Sequence, residues 1–384
     1  MSTTALRQQP TVTSPPARLE RRQLARLMAW YLVSRATVWA AILGAWTLRP
    51  ELSLYALVRR LDAAWYLDTA RFGYAAEPAT HAAIEQSSAV LRGAFFPLWP
   101  LLVRFARVPG VPLEASATVL ATALGFGVVV GSWLLVARLV DREAGDRAAL
   151  LVCFFPGSVA LSVAYAEALM LCLVVACLLA LHERRWWTAG VLAALATATR
   201  PNAIAILPAC AWAAAVAIRQ RREWRSVVAP LLAPVGVLAF HGYLWWHTGR
   251  RDTWQLIQRN GWDEQIDLGV RNAQRLRDLV LWRQPDPGTV LLGVGLLVLL
   301  AGLWALWRWR PPGTLWLYTA GAIGLALLAR TLGPRPRFLL TAIPLIWALA
   351  VWLREEHFRV VLSASATGLA ILSAMYIVGS VAKL

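Results

Sequence analysis

The chain reads as an all-α polytopic integral membrane protein, and three observations carry that reading. Hydrophobic residues fill 59% of its 384 positions and mean hydropathy is +0.55, well above the apolar share of a soluble domain. Apolar runs of span length recur from Leu27 to the C-terminus, and lipid admits such runs as helices whose backbone groups are satisfied internally. The 38 basic residues, of which only Lys383 is lysine, gather between the runs. That placement puts the net charge of +17 opposite phospholipid headgroups and excludes nucleic acid as the partner.

Taken in order, residues 1–26 form a Ser/Thr/Pro/Arg segment without an apolar h-region. They are expected to be a disordered cytosolic tail rather than a signal peptide. Residues 27–384 are expected to make a single transmembrane domain. Its spans fall near 27–48, 115–137, 148–163, 164–182, 186–199, 200–218, 227–247, 289–307, 314–330, 338–353 and 360–380, about eleven in all. Two long connections, 49–107 and 248–287, interrupt them. In the first, Leu54, Leu57, Val58, Leu61, Trp65 and Phe72 repeat at three- and four-residue steps. That period predicts an interfacial helix with its apolar face in lipid. Phe95–Phe105 is too short to cross and carries Pro97 and Pro100. It predicts a re-entrant or broken element, buried in protein or lining a cavity.

Short arginine-bearing connections at 138–147, 183–185, 219–225, 308–312 and 354–359 place the N-terminus inside. The two long connections then lie outside, with arginines that the orientation rule does not require. An anionic ligand held at the outer face accounts for them. The turn T-L-G-P-R-P-R-F sharpens the point. With Arg330 just before it, the turn brings Arg335 and Arg337 together, and Pro334 and Pro336 stiffen the backbone that carries them; such a fork of guanidinium donors suits a phosphate.

One carboxylate stands out. Asp62 falls off the apolar stripe of its helix, on the face shared with Arg59 and Tyr66. Asp68 lies six positions on, about 120° round the helix, so the two acids do not form a pair and Asp62 is the candidate for a lone base. Glu167, in F-P-G-S-V-A-L-S-V-A-Y-A-E, sits near the outer end of a span, where an unpaired carboxylate is expensive. It either ties two helices together or walls a ligand pocket. Arg35, within the first span, is read as snorkelling or paired. His241 and His247 lie among aromatics at an outer helix end, as interfacial anchors or as site residues.

The absences narrow the field. The sequence has no G-x-x-x-x-G-K-[ST] loop, no nucleotide-binding G-x-G-x-x-G, no H-E-x-x-H and no carboxylate cluster that demands a metal. No cofactor is expected. Cys153, Cys172, Cys177 and Cys210 all fall in apolar runs without metal-ligand spacing and read as small core residues. The remaining pattern fits group transfer from a lipid-phosphate donor. A transporter passing a lipid-phosphate head group or a polymer is the alternative.

Six stretches carry a family resemblance: L-D-A-A-W-Y-L-D-T-A-R-F-G-Y (61–74), A-F-F-P-L-W-P-L-L-V-R (94–104), F-P-G-S-V-A-L-S-V-A-Y-A-E-A-L (155–169), R-W-W-T-A-G-V-L-A-A-L-A-T-A-T-R-P-N (185–202), W-H-T-G-R-R-D-T-W-Q-L-I-Q-R-N-G-W (246–262) and P-R-F-L-L-T-A-I-P-L (336–345). In this order they resemble the PIG-V-like mannosyltransferases, a branch of the GT-C superfamily of polytopic glycosyltransferases. Leu61 departs from the pattern, standing where the family usually has tryptophan. The resemblance implies a GT-C-type fold in the cell membrane. It implies transfer of mannose, with inversion, from a polyprenyl-phosphate-linked donor to a lipid-linked or cell-surface glycan acceptor on the outer face. In that scheme Asp62 is the general base, and Arg337, Arg335 and Arg330 bind the donor phosphate. Tyr66, Trp65, Glu167, Tyr165, His241 and His247 line the acceptor and sugar pocket.

Overall fold

Proline or a left-handed backbone position ends several helices of this chain, as at Phe155–Pro156, Arg222, Gly249 and Arg310. The computed structural model describes residues 19–49, 51–75, 80, 83–84, 87–283 and 286–378; positions 1–18 of the expected tail lie outside them. Among the described residues, six helical segments are long and apolar enough to cross a membrane: Arg21–Trp46, Leu113–Leu139, Pro201–Arg221, Trp224–Thr248, Pro287–Trp309 and Glu355–Ile377. Glu167–His182, Trp186–Thr197 and Gly313–Leu328 are shorter apolar helices. The protein is thus a multi-pass, all-helical membrane protein, as its hydropathy predicts. The first helix begins at Arg21, inside the stretch expected to be tail.

Two expected spans are broken by proline. The run at 148–163 ends as a helix at Phe154, because Phe155 turns extended ahead of Pro156, and Pro156–Leu161 continue as a 3₁₀ turn. The run at 338–353 splits into Pro336–Thr341 and Pro344–Trp352. Both breaks face the same place in the fold, where the 3₁₀ turn packs against Pro336–Thr341. Glycine makes that contact possible. A Cβ at Gly157 would lie 2.2 Å from the Pro336 carbonyl oxygen, and one at Gly295 would lie 1.7 Å from that of Pro334.

The first helix closes the bundle by packing along Glu355–Val378. Leu113–Leu139 packs between Arg142–Phe154 and Glu167–His182, and Ile206–Arg221 packs on Gly313–Leu328. Ion pairs tie one end of the bundle together: Arg26 to Asp146 at 2.5 Å, Arg147 to Glu355 at 2.8 Å, Arg184 to Glu223 at 2.6 Å, and Arg138 to Glu183. The short arginine-bearing connections at 138–147, 183–185, 219–225 and 354–359 therefore share that end with the start of the first helix.

Arg35 is buried in the bundle and paired, not snorkelling. It donates to the carbonyl oxygens of Ser158 (2.6 Å) and Cys153 (2.8 Å) and to Ser162 Oγ (2.7 Å). The Cys153 carbonyl belongs to the last turn before the break at Pro156, where helix carbonyls lose their own partners. Ser158 and Ser162 lie just beyond it, so a charged side chain in the first helix fixes the turn that leads to Tyr165 and Glu167.

Candidate active site

The expected continuous helix across Asp62 is two helices, Leu54–Val58 and Asp62–Phe72. The break sits at Leu61, whose φ of 51° and ψ of −130° place a branched side chain in a region that favours glycine. Asp62 is consequently the first helical residue, and its carboxylate stands at the helix N-terminus, where negative charge is favoured. The buried face of this helix (Ala63, Tyr66, Leu67, Thr69 and Ala70) packs on Leu98–Phe105 and its approach. That buried face is not the expected apolar stripe, of which Leu57 is buried, Val58, Leu61 and Trp65 are half-buried and Phe72 is exposed.

Leu98–Phe105 is the broken element. Trp99 is fully buried and donates to the Ala164 carbonyl at 3.1 Å, while the Leu98 N–H donates to Ala198 O at 3.1 Å. Ahead of it, two adjacent rings face different neighbours. Phe95 stacks on Trp65 at 5.9 Å and meets Tyr66 edge-on at 4.9 Å, with Trp262 at 5.6 Å. Phe96 packs on Phe240 at 4.6 Å, His241 at 6.0 Å and Trp254 at 6.3 Å.

Arg337 joins the pieces. Its Nη2 lies 2.5 Å from Asp62 Oδ2 and its Nε donates to Glu167 Oε1. Its guanidinium carbon lies 4.3 Å from the centre of the Tyr165 ring, a cation–π contact. Glu167 holds a second cation, Arg200, at 2.7 Å through Oε2. The cluster therefore pairs two carboxylates with two guanidinium groups and has no formal net charge. Exposure separates the two acids, since the Asp62 side chain is 28% exposed and that of Glu167 1%. Glu167 ties the start of its helix to the segments that carry Arg337 and Arg200. Tyr66 is buried beside the cluster, and burial pushes its phenol well above the ordinary range.

The other sequence candidates stand apart from this cluster. Arg330 pairs with Asp263 at 2.9 Å; its backbone and that of Ala329 line up with residues 265–266. Arg335 caps Pro336–Thr341, buried near Arg275 and Asp286. The three arginines of the turn thus differ in their partners, and Arg337 is the one seen paired with Asp62. His241 bonds through Nδ1 to Val237 O at 2.9 Å within the Phe96 cluster, and His247 stacks on Tyr243 at 5.1 Å. Sequence reasoning missed Arg200 as a partner, although A-T-R-P-N was in view. It also missed Glu114, a buried acid that takes Arg71 at 2.5 Å and Arg59 at 3.2 Å. A carboxylate opening a span was the available signal for Glu114. Among the described residues, no three His, Cys, Asp or Glu side chains gather as metal ligands.

Residues 52–216 match the family model described as Mannosyltransferase (PIG-V). The match covers less than half of the chain. Asp62, Tyr66, Tyr165, Glu167 and Arg200 all lie within the PIG-V match, and Arg337 is brought to them from outside it. Among solved structures, the chain is similar to the oligosaccharyltransferase of Archaeoglobus fulgidus. The apo form is 15% identical over 91% of this chain and 56% of that one, with a TM-score of 0.47. The complex with Zn and sulfate is 17% identical over 90% and 53%, again at 0.47. The form tethered by a disulfide bond to an acceptor peptide containing the NVT sequon is 14% identical over 92% and 55%, at 0.45. The chain spans about half the length of these structures. No curated protein matches it.

Proposed function

We propose that this protein is a membrane mannosyltransferase of GT-C type. In this reading it moves mannose, with inversion, from a polyprenyl-phosphate-linked donor to a lipid-linked or cell-surface acceptor at the outer face of the cell membrane. One observation carries the assignment of roles. Of the two carboxylates on Arg337, Asp62 is partly open and Glu167 is closed. Asp62 is therefore the group an acceptor hydroxyl can reach, and Glu167 is the anchor that fixes the guanidinium.

In the proposed step the acceptor hydroxyl gives its proton to Asp62 as its oxygen bonds to the anomeric carbon. The bond from that carbon to the phosphate oxygen breaks, and the lipid phosphate leaves with its charge grown from one to two negatives. Arg337 couples the two events. As Asp62 takes the proton it ceases to be an anion on Nη2, while a new negative charge forms on the leaving phosphate. A fixed guanidinium that loses one counter-charge as another appears favours the transition state over the ground state. Glu167 and Arg200 hold that guanidinium in place throughout. The Trp65, Phe95 and Trp262 rings beside Tyr66 offer an apolar wall for the sugar. Arg330, paired with Asp263, and Arg335, at the start of Pro336–Thr341, hold the turn that carries Arg337.

The test is direct. Membranes containing the protein are incubated with radiolabelled polyprenyl-phosphate-mannose and a mixed lipid extract, and labelled products are separated. A new mannosylated product, absent with Asp62→Asn at equal abundance, is the expected result. A wild-type protein that forms no such product across several acceptor classes, yet moves the lipid phosphate between leaflets, overturns the reading in favour of transport.

A further inference from the structure

A second charge cluster sits behind the helix that carries Asp62, and its carboxylate has no part in the reaction just described. Glu114 is in the first turn of the Leu113–Leu139 helix and is 2% exposed. Its Oε1 accepts from Arg71 Nη2 at 2.5 Å and from Arg59 Nη1 at 3.2 Å. Arg59 also donates to Asp68 at 2.6 Å. Arg71 donates to the Tyr55 hydroxyl at 2.9 Å, and both guanidinium groups lie against the Tyr55 ring, at 5.2 Å for Arg59 and 5.9 Å for Arg71.

The two arginines bracket the Asp62–Phe72 helix. Arg59 lies three residues before Asp62, and Arg71 is in the last turn. One buried carboxylate thus fixes both ends of a short helix to a membrane-spanning one. Between Arg59 and Asp62 lies Leu61 at φ 51°, a conformation that persists for a branched residue only where the surroundings impose it. The pairs from Arg59 to Asp68 and to Glu114 hold the chain on one side of Leu61, and the pair from Asp62 to Arg337 holds it on the other.

We propose that Glu114 is a positioning residue for Asp62: through Arg59 and Arg71 it imposes the Leu61 turn and so sets where the Asp62 carboxylate meets Arg337. This rests on the reading of Asp62 as the base. Glu114 touches neither substrate in that scheme. Its loss shifts the base by a fraction of the helix's own width and leaves the donor's binding groups in place.

The experiment uses the full-length protein in lipid nanodiscs with polyprenyl-phosphate-mannose and compares Glu114→Gln, Leu61→Gly and the double variant. A displacement of about 1 Å at a reacting group costs on the order of 100-fold. Glu114→Gln is therefore expected to lower kcat roughly 10- to 100-fold with donor KM changed by less than about threefold. Glycine reaches positive φ without penalty, so in the Leu61→Gly background the turn no longer needs to be imposed. There the same Glu114→Gln change is expected to cost markedly less, a non-additivity that a clamp serving stability alone would not produce. Glu114→Asp, which keeps the charge, is expected to recover part of kcat. Wild-type kcat in Glu114→Gln, a loss confined to donor KM, or equal losses with and without Leu61→Gly would each overturn the proposal. Amide hydrogen exchange over residues 62–67 separates this outcome from failure of the enzymatic reading. Faster exchange in Glu114→Gln that is absent when Leu61→Gly is already present supports the positioning role even if no form makes product; unchanged exchange counts against it.

Discussion

Arg337 and Asp62, 275 positions apart in the sequence, face each other with Nη2 2.5 Å from Oδ2, and the same guanidinium is held from behind by Glu167. The pair is what turns a motif in the first long connection and a turn near the end of the chain into one site. Four expectations follow from it and from the backbone that carries it.

Asp62→Asn keeps the size of the side chain and one hydrogen-bond acceptor for Arg337, but cannot take a proton. Product formation should fall by roughly two orders of magnitude or more, while donor binding should not weaken, since a negative charge that competes for Arg337 is gone. Asp68→Asn should cost far less, because Asp68 faces Arg59. Turnover by Asp62→Asn equal to wild type, in membranes of equal protein content, would remove Asp62 from the mechanism.

Arg337→Lys keeps the charge but not the fork that spans two carboxylates, and partial activity is expected. Arg337→Ala should abolish turnover and also destabilise the fold. It takes from the buried Glu167 one of its two guanidinium partners, and breaking a buried pair costs about 3–5 kcal/mol. A thermal shift assay in detergent reads the second effect, and an unchanged melting temperature would contradict the buried pairing.

Gly157→Ala and Gly295→Ala should each displace the turn at 334–337, because the new Cβ would meet a carbonyl oxygen at 2.2 Å and 1.7 Å respectively. Gly44→Ala, where a Cβ meets nothing within 4 Å, is the control. The expected order of activity at equal abundance is wild type and Gly44→Ala together, with the other two well below. Full activity in Gly157→Ala would show that the site tolerates movement of Arg337.

The sidedness proposed for the site is tested by labelling. A cysteine at Ala75 should react with an impermeant thiol reagent added to intact cells, and one at Gln220 only after permeabilisation. The opposite pattern would place the site on the cytosolic face.

Hydropathy made the spans legible, because lipid tests each helix over its own length and leaves a local record in the sequence. Asp62 and Arg337 were legible for a related reason: each is a charge that its local context does not explain. Their partners were not. Arg200 meets Glu167 across 33 positions, and Arg59 meets Glu114 across 55; nothing in either local stretch records such a distance. The breaks at Leu61 and Pro156 were hidden differently. Apolar period continues across both, and what interrupts the helix is a backbone angle set by tertiary contacts in one case and an imide ring in the other. The divergence of Arg330, Arg335 and Arg337 could not be read from their spacing, since prolines between them fix local geometry but not which side of the turn each side chain takes.

The two glycines that seat the 334–337 turn give the site an asymmetric mutational history. What Gly157 and Gly295 accommodate is main-chain oxygen, and no substitution at Pro334 or Pro336 removes a carbonyl. A side chain acquired at position 157 or 295 therefore has no second-site suppressor within the turn it displaces. Compensation would have to come from insertion or deletion that redraws the turn itself. Laboratory selection for altered donors should accordingly leave these two positions untouched while neighbouring side chains vary, and a library randomised across 330–340 is better built on unchanged glycines than on relaxed ones.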